Sequence, residues 1–502
     1  MIWNSIIVFV VVWVIAGFPD GGIVPSRKYA QEITDSSLKE NLSILASDAM
    51  EGRETGKRGQ KMAAAFIRTY FEDLGLAGPV NGGYYQSIDL YATVAGETFI
   101  RSGDSHFSNF GDIVYYGDDN SNGEVEAHLV FIGNGTEAEL DQVSVKGKAV
   151  LVFYNGGGIT ANPVVTRARS RGATMVLFCP PKKDDYNRLV SQIRNVQVNR
   201  NLSLTKPVDQ SALRPGLFVV SPDILDRLVG VPLEKLAAAS ADPGKNAIRR
   251  IKGATIRYQA SKEIKIVKSE NVLGYLEGSD KKDEVILITA HYDHIGINDN
   301  AKGDQINNGA DDDGSGTASV LEIAKAFAMA KKEGNGPRRS ILFMTVTGEE
   351  KGLLGSEFYS EHPVFPLEQT VVDLNIDMIG RRDAVHSESP PYLYLIGADK
   401  LSSTLNEVSD SVNRANTRLI FDYTYNDLHH PDRFYYRSDH WNFAKNNIPI
   451  IFYFSGVHED YHKPGDEIDK IEFDLLALRT KCIFYTAWEI ANREERIKPD
   501  AK

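Results

Sequence analysis

Five separated segments of this chain carry side chains able to hold a metal ion. They are His291-Tyr292-Asp293-His294, Asp311-Asp312-Asp313, Glu349-Glu350, Asp377, and the stretch from His458 to Tyr461-His462. None contains cysteine. Carboxylates crowded together repel unless positive charge lies between them, and a divalent cation is the simplest such charge. Histidine nitrogen with aspartate and glutamate oxygen suits zinc, at about 2.0–2.2 Å per bond. Two histidines with three carboxylates exceed one tetrahedral ion. They fit two ions about 3.5–4 Å apart with one carboxylate bridging.

Each segment alone has a plainer use. A Glu-Glu pair belongs on a solvated surface. The acidic turn before Gly314-Ser315-Gly316 suits a helix start, and it lacks the spaced acids and closing Glu of an EF-hand. His294 and His440 read as structural or pocket-lining, and His429-His430 as a loop pair. His458 sits four residues before His462, but Pro464 and Gly465 argue against a helix that would pair them. Asp439 reads as a hydrogen-bonding scaffold. Ser315 reads as a helix-start residue, since no strand-elbow pattern precedes it. The joint order of the five segments outweighs these separate readings.

What must position them is a sheet. EVILITA, SILFMTVT, VVDLNIDMI and IPIIFYF are continuous apolar runs, as expected for central strands covered on both faces. Four of the five segments lie at or just after such a run, where ligands gather in open α/β sheets. Between the runs lie amphipathic helices, one marked by Val320, Leu321, Ala324 and Phe327 and another by Leu475, Leu478, Cys482 and Tyr485. The alternation predicts an α/β domain with a central, mostly parallel mixed sheet flanked by helices. Residues 35–75 predict two further helices, the first with Asp35 as N-cap and the second stopped by Gly75. Residues 107–262 change texture. Short β-like runs alternate there with Gly-, Asn- and Pro-bearing turns, and the Lys182–Asp185 run reads as a solvated turn. This predicts a small β-rich module inserted into the main domain.

These segments resemble the M28 family of zinc aminopeptidases, co-catalytic two-zinc exopeptidases. The likeness is strong over 262–494 and moderate over 35–90. The run YYRSDHWNFAKNNIPIIFYFSGVHEDYHKPGDE is especially close to bacterial secreted members. Residues 107–262 resemble, more weakly, the protease-associated domain inserted in such enzymes. The resemblance implies the zinc exopeptidase fold and two zinc ions per chain. It implies His291 and Asp377 on one ion, Glu350 and His462 on the other, and Asp312 bridging. Asp293 would orient the His291 ring, Glu349 would be the general base, and Tyr461 would donate to the oxyanion of the tetrahedral intermediate. The implied reaction removes residues one at a time from peptides with a free N-terminus. A carboxypeptidase or a single-zinc glutaminyl cyclase of the same fold is the alternative. A dead binding protein is disfavoured, because no ligand position is missing.

The remaining composition narrows the setting. At 502 residues the chain exceeds one ordinary domain. We expect 1–25 as a signal peptide or anchor, 26–106 as an N-terminal helical part of the peptidase domain, 107–262 as the insert and 263–495 as the peptidase domain. A net charge of −12 argues against nucleic-acid binding. Two cysteines make no disulfide framework, and both read as buried small hydrophobes. The apolar run Ile6–Phe18 is 13 residues long, short of the roughly 20 that span a bilayer. It predicts export to the periplasm or exterior, with an uncleaved anchor as the only membrane contact. Oligomeric state leaves no mark in the sequence.

Overall fold

The computed structural model describes residues 25–117, 121, 123–159, 162–199, 202–207, 217–241, 247–298 and 301–500. The apolar run Ile6–Phe18 lies outside them. Among the described residues no helix is long and apolar enough to cross a membrane.

The strand Lys281–His291 runs parallel to Arg339–Val346 on one side and Thr370–Ile376 on the other. Thr370–Ile376 in turn runs parallel to Ile450–Phe454. Every residue of Arg339–Val346, Thr370–Ile376 and Ile450–Phe454 is buried, which is why their sequences are unbroken apolar runs rather than alternating ones. Helices Asp35–Leu45, Gly316–Lys332 and Phe473–Asn492 cover one face through residues such as Leu42, Phe327 and Phe484. Helices Leu354–Glu361 and His440–Ala444 cover the other through Tyr359 and Phe443. Tyr392–Ile396 and Ala254–Leu276 join the sheet antiparallel. The architecture is thus mixed α/β around a large, mostly parallel sheet. Cys179 and Cys482 are buried and free.

Local chemistry corrects two expectations. The first long helix does begin at Asp35, but its cap is Thr34. The Thr34 hydroxyl accepts from Ser37 N at 3.1 Å while the Ser37 hydroxyl accepts from Thr34 N at 3.2 Å, a reciprocal box that Asp35 does not make. The Lys182–Asp185 run, expected as a solvated turn, enters the helix Lys183–Asn199. Tyr186, Leu189 and Ile193 are the buried stripe of that helix.

The largest surprise is a ribbon. Tyr85–Ser102 (18 residues) pairs antiparallel with Ala254–Leu276 (23 residues), from Tyr85 opposite Val272 to Arg101 opposite Arg257. The register shifts between Ala95 and Thr98, a bulge at Gly96-Glu97. The first part of Ala254–Leu276 also pairs with Val125–Phe131, so the ribbon continues into a second run of strands. There Val125–Phe131, Ala149–Phe153, Met175–Cys179 and Leu217–Val220 run parallel in that order, and Ile113–Tyr116 closes the edge. Apolar clusters lie on both faces of these strands, and the stretch carries helices as well.

Candidate metal centre

Because the four central strands run parallel, their carboxyl ends coincide. His291 is the last residue of its strand. Glu349 and Glu350 follow Val346 by three and four residues, Asp377 follows Ile376 directly, and His462 lies in the turn after Ile450–Phe454. Asp312 sits in the turn that opens Gly316–Lys332. Five separate stretches of chain therefore deliver polar groups to one sheet edge.

They converge. His291 Nε2 lies 3.2 Å from Asp312 Oδ1, 3.6 Å from Asp377 Oδ1 and 3.9 Å from Glu349 Oε2. His462 Nε2 lies 3.2 Å from Asp312 Oδ2 and 3.1 Å from Glu350 Oε2. Asp312 thus faces an imidazole with each oxygen. Two groups have ligand atoms close enough to share an ion: His291, Glu349 and Asp377, and His294, Asp312 and Glu350. Asp377 Oδ2 accepts from Ser438 Oγ at 2.7 Å, which leaves Oδ1 free to face His291.

His294, read as structural from sequence, stands inside this cage. It is fully buried, and its Nδ1 lies 2.8 Å from Glu350 Oε1. Its spacing from His291 is the one signal the sequence offers for it. The Asp293 carboxylate is placed differently from the expectation. His291 Nδ1 meets the Asp293 main-chain carbonyl at 3.1 Å and the carboxylate only at 3.8 Å. The carboxylate instead accepts from Thr55 Oγ1 at 2.6 Å and from Glu349 N at 3.2 Å, so it orients the glutamate pair as well. The Tyr461 ring stacks on His462, with centroids 3.9 Å apart, and lines the same cleft as Glu349.

Other histidines lie elsewhere. His440 is buried and faces the Tyr435 carbonyl at 2.9 Å, and burial depresses it to about 3, so it stays neutral. His458 contacts Asp311 and Asp466 behind the cage rather than in it. Asp439 accepts from Ser356 Oγ at 2.5 Å.

The buried carboxyls and imidazoles of the site shift one another strongly. Burial pushes the Asp312 carboxyl up, and the imidazoles of His291 and His462 override it, holding it well below the usual range. Burial disfavours the charged form of His462, yet Asp312 and Glu350 hold it up at about 10. Burial raises Glu349 well above an ordinary carboxyl. His291 Nε2, Asp312 Oδ2 and Glu350 Oε1 are buried without hydrogen-bond partners. Nature rarely leaves such atoms orphaned. Their chemistry, an imidazole nitrogen with carboxylate oxygens, fits divalent cations of the zinc type.

Residues 271–487 match peptidase family M28. Aminopeptidase YwaD of Bacillus subtilis (strain 168) is 26% identical over 293 residues, 57% of each chain. A probable zinc metalloprotease of Pyrenophora tritici-repentis is 27% identical over 257 residues, 44% of this chain and 51% of that one. The match therefore spans about half the length of these relatives. Among solved structures, a zinc aminopeptidase from Bacillus subtilis aligns with a TM-score of 0.52 at 19% identity, covering 94% of this chain and 99% of the other. An aminopeptidase from Aneurinibacillus sp. strain AM-1 aligns at 0.50 and 18%, covering 95% and 97%. These likenesses show a common fold.

Proposed function

On the premise that this chain carries a peptidase family M28 domain, we propose that it is a two-zinc aminopeptidase, hydrolysing peptides from a free N-terminus. The observation that carries the reading is the convergence of His291, Asp312, Glu350, Asp377 and His462 from five stretches of chain, with buried atoms left unpartnered. His291 and Asp377 would hold one ion, Glu350 and His462 the other, and Asp312 both. Zinc bound there would supply Lewis acidity, lowering the pKa of water and polarising a carbonyl. The protein supplies the rest. Glu349 takes the proton from the attacking water and passes it to the leaving amine, and its burial makes it a stronger base than an exposed glutamate. Tyr461, kept protonated by burial, donates to the developing oxyanion. We read Ile6–Phe18 as an export signal and residues 107–262 as a protease-associated type of insert.

The cleft beside Glu349 and Asp377 is lined by Met378, Phe434, Phe452, Phe454 and Val457, with the Arg437 guanidinium lying over the Phe434 ring. An apolar first side chain is the one this wall rewards, since burying a leucine is worth about 1.5–3 kcal/mol. Leucyl arylamides should therefore be cleaved with kcat/KM roughly 10–100-fold above glycyl ones. Acylating the amino group should abolish turnover. Cleavage of the blocked substrate at a comparable rate would overturn the exopeptidase assignment.

Zinc must also displace a proton from His462, which Asp312 and Glu350 keep charged at neutral pH. Zinc affinity should thus rise with pH until His462 loses its proton at about 10, with protons released on binding below that. Calorimetric titration in buffers of different ionisation enthalpy reads that release, and a pH-independent affinity would contradict it.

A further inference from the structure

Ahead of the region matched by the family lies a short segment, Gly52 to Thr55, that is hydrogen-bonded to the loops on either side of the metal cage. Arg53 is its centre. The side chain is fully buried, yet its four hydrogen bonds all end on main-chain carbonyls: Leu45, Tyr292, Asn308 and Gly309, at 2.6–2.9 Å. Tyr292 directly follows His291, and Gly309 begins the turn that carries Asp312. The backbone of the segment repeats the attachment. His294 N donates to Arg53 O at 3.2 Å and Gly296 N to Gly52 O at 2.9 Å, while Thr55 Oγ1 holds Asp293.

Two features mark the attachment as costly. Burying a guanidinium gives up its hydration, a loss that its four hydrogen bonds must offset. Glu51 and Arg53 also hold left-handed backbone, at φ of 51° and 48°, which side-chain-bearing residues seldom adopt. Gly52 between them has no alternative, since a Cβ there would lie 2.5 Å from the Asn307 carbonyl oxygen. The same turn is gripped from its other side. Asp466 accepts from Asp311 N and Asp312 N at 3.0–3.1 Å. Carbonyls before Asp312 go to a cation and amides at Asp312 go to an anion, which orients that peptide run as a dipole between opposite charges.

We propose that Arg53 is a positioning residue for the metal cage: it locks the His291 loop to the Asp312 turn at the spacing two ions require. The inference rests on the zinc reading above and adds to it a residue outside the matched region. The test uses the purified full chain and zinc alone. Zinc dissociation constants are measured by competition with a chromogenic chelator, beside near-ultraviolet circular dichroism of the metal-free protein. Arg53→Lys keeps the charge but cannot reach both loops at once. Its zinc dissociation constant should rise about 10–100-fold with the fold intact. Arg53→Ala should lose more, and added guanidinium should restore part of the affinity, a rescue that a merely space-filling role would not give. Wild-type affinity in both variants overturns the proposal, and so does failure of both to fold, since that assigns the arginine to the core. A wild-type chain that binds no zinc overturns the underlying reading as well.

Discussion

Replacing Glu349 with glutamine leaves the zinc content unchanged and lowers turnover of leucyl arylamides by about 10²–10⁴-fold. The asymmetry follows from where the side chain stands. Among the cage carboxylates Glu349 keeps the longest approach to a histidine, 3.9 Å to His291. Its main-chain amide is tied to Asp293, so a glutamine inherits the same loop geometry. What glutamine cannot do is take a proton and give it back. Metal analysis beside steady-state kinetics separates the two quantities. If the variant keeps near-normal turnover, the proton passes through another group and the role assigned to Glu349 is wrong.

Asp312→Asn should do the opposite, removing metal first and activity as a consequence. Asp312 faces His291 with one oxygen and His462 with the other. An amide of the same shape replaces one of those oxygens with hydrogen-bond donors and removes the charge. Zinc should fall from two per chain to one or fewer, and turnover to the background without enzyme. Ligand binding to the folded state alone stabilises it in proportion to ln(1 + [L]/Kd). Zinc should therefore raise the melting temperature of the wild type and have little effect on the variant. A variant with a full zinc complement and an undiminished thermal shift would remove Asp312 from the bridging position.

Much of the site could be read before the fold was known, because the groups involved carry their chemistry in their side chains. Glu349-Glu350 and Asp377 stand just after or within runs whose continuous apolarity announces a doubly covered strand. Arg53 could not be read that way. Its partners are carbonyl oxygens of Leu45, Tyr292, Asn308 and Gly309, which every residue type possesses, so nothing in the letters marks them. The ribbon of Tyr85–Ser102 with Ala254–Leu276 was hidden for a related reason. Much of its length is exposed or half-exposed, so burial does not enforce the alternation by which strands are recognised. The helix Lys183–Asn199 was masked by charges in its first turn, where acidic residues favour a helix start as readily as a turn.

That ribbon has a mechanical meaning. A polypeptide tether lets a module drift, but paired strands form a beam whose hydrogen bonds resist shear along its length. Here one strand is shared, its last residues, 272–276, lying beside Arg339–Val346 and its first beside Val125–Phe131 of the outer strands. The ladder of that beam is interrupted once, at Gly96-Glu97, where two residues of one strand stand against one of the other and the local twist increases.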